Sequence, residues 1–177
     1  MRQPDVHTPT TSHEEDAVEL HLVDVEKPAD LNVIVGQAHF IKTVDDLFQA
    51  LAMSAPGLRF GIALCEASGE RLIRRAGNDE GLVARAVSTA EAIAAGHVFV
   101  VFLADAYPVN VLNAVKQVPE VCRVFCATAN PLQLVVAESA LGRGVLGVID
   151  GETPLGTETD AHADARRDLV RRLGYAP

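Results

Sequence analysis

Apolar positions fall into two rhythms along the chain, and the alternation is set first. Val18, Leu20 and Leu22 alternate with polar residues and run into Val23 and Val25, which predicts a first strand. Lys27-Pro28 turns the chain, and 31–36 forms a second apolar strand that ends in Gly36-Gln37-Ala38-His39-Phe40. Residues 58–66 and 71–75 flank Ser68-Gly69 and predict a hairpin, with Leu58, Phe60, Ile62, Leu64 and Glu66 on one face of its first arm. The stretch after Gly96-His97, Val98 to Ala104, is apolar on both alternating faces. Its β-branched and aromatic content suits a strand covered on both sides. Asp105 ends it well short of the length that crosses a bilayer. Residues 121–127, 132–137 and 145–149 read as further strands, with turns at Asn130-Pro131 and Gly142-Arg143-Gly144.

The second rhythm is helical. Thr43 is predicted to cap a helix, with Asp46 in the reciprocal position and Val44, Leu47, Phe48 and Leu51 inward until Pro56-Gly57. Asn78 is expected to cap a helix over 79–95, stopped by Gly96. Pro108 opens a short helix to Gln117, with Val109, Leu112 and Val115 expected inward. A charged helix over 160–173 carries Arg166, Arg167, Arg171 and Arg172 towards its own negative dipole end. Hairpins mixed with crossover helices predict one layered α/β domain over 18–177, a mixed sheet with flanking helices. Residues 1–17 have no period and are expected to be a disordered leader, with no role for His7 or His13.

Composition narrows the chemistry. The 177 residues are enough for one core, and with no Trp and few aromatics that core is aliphatic. Fifteen basic against 24 acidic residues give a net charge of −9, which argues against nucleic acid or a membrane surface as partner. No apolar signal segment opens the chain, and its three cysteines lie in or beside apolar runs, so reduced buried thiols in a cytoplasmic protein are expected. P-loop, dinucleotide-binding and protein-kinase fingerprints are absent.

Polar groups that interrupt apolar segments are the candidates for a site. His39 and Lys42 follow the second strand, Arg59 opens and Glu66 closes the next, and Arg71 and Arg74 follow the hairpin turn. His97 precedes the central strand. Asn110, Asn113 and Lys116 share a helix face, Thr128 and Asn130 follow a strand, and Asp150 ends another. Guanidinium groups grip phosphate oxygens and amides read a base or sugar, so the set suits a phosphorylated polar metabolite. A histidine could shuttle a proton or act as the nucleophile, and Asp150 or Glu66 could orient it or help hold magnesium. The plainer reading is that each makes a turn hydrogen bond at the surface.

Residues 32–43, Asn-Val-Ile-Val-Gly-Gln-Ala-His-Phe-Ile-Lys-Thr, resemble the opening signature of the adenosine-specific kinase family. Pro56 to Gly61, Glu66 to Gly69, Gly96 to Phe99, Tyr107 to Lys116, Ala127 to Pro131 and Gly144 to Gly156 match in the same order. The resemblance implies an α/β domain that binds adenosine or AMP, uses ATP with magnesium, carries a stably phosphorylated histidine and assembles as a closed homo-oligomer such as a trimer. The phosphohistidine corresponds best to His97, with His39 competing. Gln37, Lys42, Arg59, Glu66, Arg71, Arg74, Asn110, Asn113, Lys116, Thr128 and Asn130 are the candidate nucleotide-binding set, with His97, His39 and Asp150 as the catalytic candidates. The alternatives are a non-catalytic AMP-binding or sensing module and a purely structural oligomer.

Overall fold

Three crossover helices each carry the chain past one strand of a five-stranded sheet, and an antiparallel strand fills each gap. In the computed structural model, which describes residues 17–176, the order is β1 (Glu19–Val25), β2 (Asn32–Ala38), α1 (Thr43–Ser54), β3 (Arg59–Cys65), β4 (Ile73–Gly77), α2 (Glu80–Ile93), β5 (Val98–Ala104), α3 (Pro108–Gln117), β6 (Val121–Thr128), β7 (Leu132–Ser139), β8 (Gly142–Asp150) and α4 (Asp160–Arg172). The leader expected at 1–17, with His7 and His13, lies outside the described residues apart from Ala17.

The α/β class and the flanking helices are as expected. The strands form two sheets, β4-β3-β5-β2-β6 and β1-β7-β8, and every named ladder is antiparallel. β5 is the middle strand of the larger sheet and is buried throughout. Its alternate side chains feed two cores. Val98, Val100 and Phe102 meet α2 and the inner face of the smaller sheet, through Leu132, Leu134 and Val136. Phe99, Val101 and Leu103 meet α1 and α3 through Leu47, Leu51, Val111 and Val115. Burying both faces is what a continuous apolar strand requires. Gly61 brings α2 directly onto β3: a Cβ there would lie 2.2 Å from the Leu82 carbonyl carbon.

Several local expectations are corrected. Thr43 is the first helical residue rather than the cap; its hydroxyl donates to the Phe40 carbonyl, and the Asp46 carboxylate takes Lys42 instead. Asp79, not Asn78, caps α2 by accepting the Leu82 N–H. Asn78 instead accepts the Phe60 N–H at 2.8 Å and donates to the Leu58 carbonyl at 2.7 Å, tying the start of β3. On α3 the buried positions are Pro108, Val111 and Val115, whereas Val109 is exposed, because the face is set by packing on α1. β8 begins at Gly142 rather than Val145, so Arg143 lies in a strand and pairs with Glu138. Cys65 and Cys126 are buried, with thiols pushed up to about 11 by desolvation, while Cys122 is exposed.

β5 runs antiparallel to both its neighbours. The residues that follow β2 and β3 therefore meet the residue that precedes β5, which is His97.

Candidate functional site

His97 is fixed through its backbone. It sits at φ +63, its N–H donates to the Cys65 carbonyl at 2.7 Å, and its carbonyl accepts the Ala38 N–H at 2.9 Å. The tight join from α2 through Ala94 (φ +51) to β5 forces this left-handed backbone, which is costly for a residue with a Cβ. The half-buried imidazole has no hydrogen-bond partner among the described residues.

On the hairpin flank, Glu66 accepts the Leu72 N–H at 2.9 Å and Arg74 Nε at 2.8 Å. These bonds, Arg74 first, hold the Glu66 carboxyl below its ordinary range. Arg71 stands at the turn with φ +55. Between this hairpin, the C-terminus of α2 and the β7–β8 hairpin lies a cavity of about 620 Å³, with Glu66, Arg71, Glu91, Gly96 and Arg143 in its wall.

On the other flank, Gln37 pairs along the ladder with Val98 and Arg123, and His39 is exposed with its N–H on the Glu120 carbonyl at 3.1 Å. Lys42 pairs with Asp46 and lies 3.6 Å from Glu120 Oε1, and the Asp46 hydrogen bond raises its ammonium above the ordinary lysine range. Glu120 is buried, and its Oε2 has no hydrogen-bond partner among the described residues.

Seven of the expected residues thus share the His97 end of the sheet: Gln37, His39, Lys42, Glu66, Arg71, Arg74 and His97. Arg59, Asn110, Thr128, Asn130 and Asp150 do not join them within one chain. Arg59 is at the opposite end, held by Asp79 at 2.7 Å and Asp105 at 3.5 Å. Asp150 Oδ1 accepts Thr128 Oγ1 at 2.6 Å and Asn130 Nδ2 at 3.2 Å, also at that end. A strand of seven residues separates these groups from His97, about 20 Å. Asp150 therefore does not orient His97 in its own chain. Asn110 accepts the Tyr107 N–H and donates to the Tyr175 hydroxyl, while Asn113 and Lys116 lie exposed along α3.

A family profile described as adenosine specific kinase matches residues 23–176. The chain belongs to this family. A solved structure, the PH1918 protein from Pyrococcus horikoshii OT3, is similar to it at 46% identity, covering 91% of this chain and 99% of that chain, with a TM-score of 0.87. Comparison with curated proteins gives no match.

Two residues of this candidate site region escape sequence reasoning. Glu120 follows a proline in a short link and looks like a solvated turn acid. Arg143 stands between two glycines and looks like a hairpin tip. Its pairing with Glu138 at 2.8 Å and its bond to the Ala92 carbonyl at 3.3 Å appear only once the sheets are folded. Among the described residues no group of three or more His, Cys, Asp and Glu forms a metal cluster, and no helix is long and apolar enough to cross a membrane.

Proposed function

We propose that this chain transfers the γ-phosphoryl group of ATP to adenosine by way of His97. The observation that carries the reading is an unpartnered imidazole, fixed by its backbone at the head of the most deeply buried strand, in a chain that belongs to the adenosine specific kinase family. A ring without a structural partner has its lone pair available, and a fixed backbone limits the reorganisation needed for in-line attack.

In the first step the neutral ring nitrogen attacks the γ-phosphorus. The N–P bond forms, the P–O bond to ADP breaks, and ADP leaves with the electron pair. In the second step an adenosine hydroxyl oxygen attacks the same phosphorus. The N–P bond breaks, its electrons return to the ring, and the ring nitrogen takes the hydroxyl proton, which is then lost to solvent. Lys42 and Arg71 supply positive charge at this end of the sheet, and Arg74, already held by Glu66, adds a fixed guanidinium. Magnesium arriving with ATP neutralises phosphate charge and needs only one or two protein carboxylates. The donor set fits that demand, since Glu120 keeps one carboxylate oxygen without a hydrogen bond and would hold the ion.

Self-association belongs to the same reading. Leu20 and Leu22 on β1 and Leu146 on β8 are exposed apolar residues of the smaller sheet, which suits contact between copies.

The test is product analysis. Purified protein with ATP, magnesium and adenosine should yield ADP and AMP in equal amounts, and His97→Ala should yield neither. AMP binding without adenosine-dependent ATP consumption would replace the kinase reading with that of a non-catalytic nucleotide-binding module.

A further inference from the structure

The far end of the large sheet carries a second cavity, of about 310 Å³, beside Asn32 at the start of β2. Asn32 pairs with Leu103 on β5, so the cavity stands about 20 Å from His97 along that strand. Tyr107, Pro108 and Val109 supply one wall from the start of α3, and Leu173 and Tyr175 supply another from the end of α4. Asn110 ties the two walls together. Its Oδ1 accepts the Tyr107 N–H at 2.9 Å, and its Nδ2 donates to the Tyr175 hydroxyl at 3.1 Å. Gly174, at φ +78, turns the chain after α4 just before that tyrosine.

No charged side chain lines this cavity among the described residues. Thr128 in its wall is already engaged: its hydroxyl donates to Asp150 at 2.6 Å and accepts the Asn130 N–H at 2.9 Å. Asn32 is not. Its Nδ2 donates to the Ala106 carbonyl at 2.9 Å, but its Oδ1 is buried with no hydrogen-bond partner, on a residue that is only 6% exposed. A buried amide oxygen left unpaired gives up its hydration and gains nothing, which calls for a donor at that point. Apolar walls with two aromatic rings and one open acceptor select a flat, uncharged ring that carries an N–H. A phosphate would find no cation here. The volume lies at the lower end of the roughly 300–1,000 Å³ of small-molecule sites, which suits a single or fused ring better than a nucleotide. Access is through α4. None of its residues is buried, and the link at 152–159 is exposed throughout, so Leu173 and Tyr175 can lift without opening a core.

We infer that this cavity binds an uncharged N-heteroaromatic ring, whose N–H donates to Asn32 Oδ1 while the tail after α4 closes over it. The site is separate from the His97 end of the sheet and does not depend on the phosphoryl-transfer reading.

Tyr107 and Tyr175 are the two tyrosines of the chain, and both border the cavity. NMR of the full chain with isotope-labelled tyrosine rings therefore reads this place alone. Benzimidazole is the probe, and benzoxazole, which has an oxygen in place of the N–H, is its control. A pair of probes is preferred to Asn32→Ala, which would also strip the Ala106 carbonyl of its donor. The expected result is that benzimidazole shifts both ring signals saturably and that benzoxazole binds about tenfold more weakly. In Tyr175→Ala, benzimidazole should still shift the Tyr107 signal, with reduced affinity. No shift of either ring overturns the site. Equal affinity for the two probes overturns the role of Asn32 and the ligand class with it. Wild-type affinity in Tyr175→Ala overturns the closing tail. AMP producing the same shifts at the same concentration overturns the assignment of an uncharged ligand.

Discussion

The N–H of His97 lies 2.7 Å from the carbonyl of Cys65, and that bond closes the end of β3 onto the start of β5. It holds His97 at φ +63, a conformation that disfavours any residue with a Cβ by about 1–2 kcal/mol. A strained residue kept at the head of the central strand is consistent with a functional side chain. His97→Gly should therefore be more stable than His97→Ala by about 1 kcal/mol in urea unfolding, although both lose the ring. Equal stability of the two variants would show that the left-handed backbone relaxes once the imidazole is gone.

The Glu66–Arg74 pair carries a pH signature. Hydrogen bonds from Arg74 and the Leu72 N–H depress the Glu66 carboxyl below the ordinary glutamate range. A depressed acid stabilises the fold above its unfolded pKa, and that contribution disappears as pH falls through the folded value. Melting temperatures of wild type and Glu66→Gln should accordingly differ most near pH 7 and converge in acid, below about pH 4. A difference that stayed constant down to acid pH would mean that the pair has no linked proton.

Gly61 sets how closely α2 approaches the sheet. An added methyl would meet the Leu82 carbonyl carbon and the Val83 nitrogen, both at 2.2 Å, and backbone cannot move aside as a flexible side chain can. Gly61→Ala should destabilise by about 3 kcal/mol, at the upper end of overpacking costs. Denaturant midpoints near wild type would show that α2 is free to lift away.

Much of this architecture was legible in the chain. The uniformly apolar run at 98–104 marked the doubly covered strand, and Pro108 marked the start of α3. Cap identity was not legible at Asn78 and Asp79, because both types cap well and only the sheet shows that Asn78 is occupied with Phe60 and Leu58. Nor does the sequence show that the strands divide into two sheets, since alternation reports which side of a strand is covered and not which strand lies beside it. The site was half legible. Residues just after β2 and β3 were expected beside His97 and are there. Arg59, Thr128, Asn130 and Asp150 also terminate strands, but at the other end, and strand direction cannot be read from residue type.

That separation makes Asp150 a useful control. Its carboxylate is engaged by Thr128 and Asn130 about 20 Å from His97. Asp150→Asn should lower stability by about 1 kcal/mol through those bonds and leave covalent labelling from ATP at the wild-type level. Abolished labelling in a folded variant would mean that this carboxylate reaches the histidine of another copy.

Phosphoryl transfer through His97 is tested most directly by following acid-labile label from γ-labelled ATP on wild type, His97→Ala and His39→Ala, then adding adenosine. The expected result is label on wild type and His39→Ala, none on His97→Ala, and discharge of the bound label into AMP when adenosine arrives. Label on His97→Ala equal to wild type, or label that adenosine does not discharge, would contradict it.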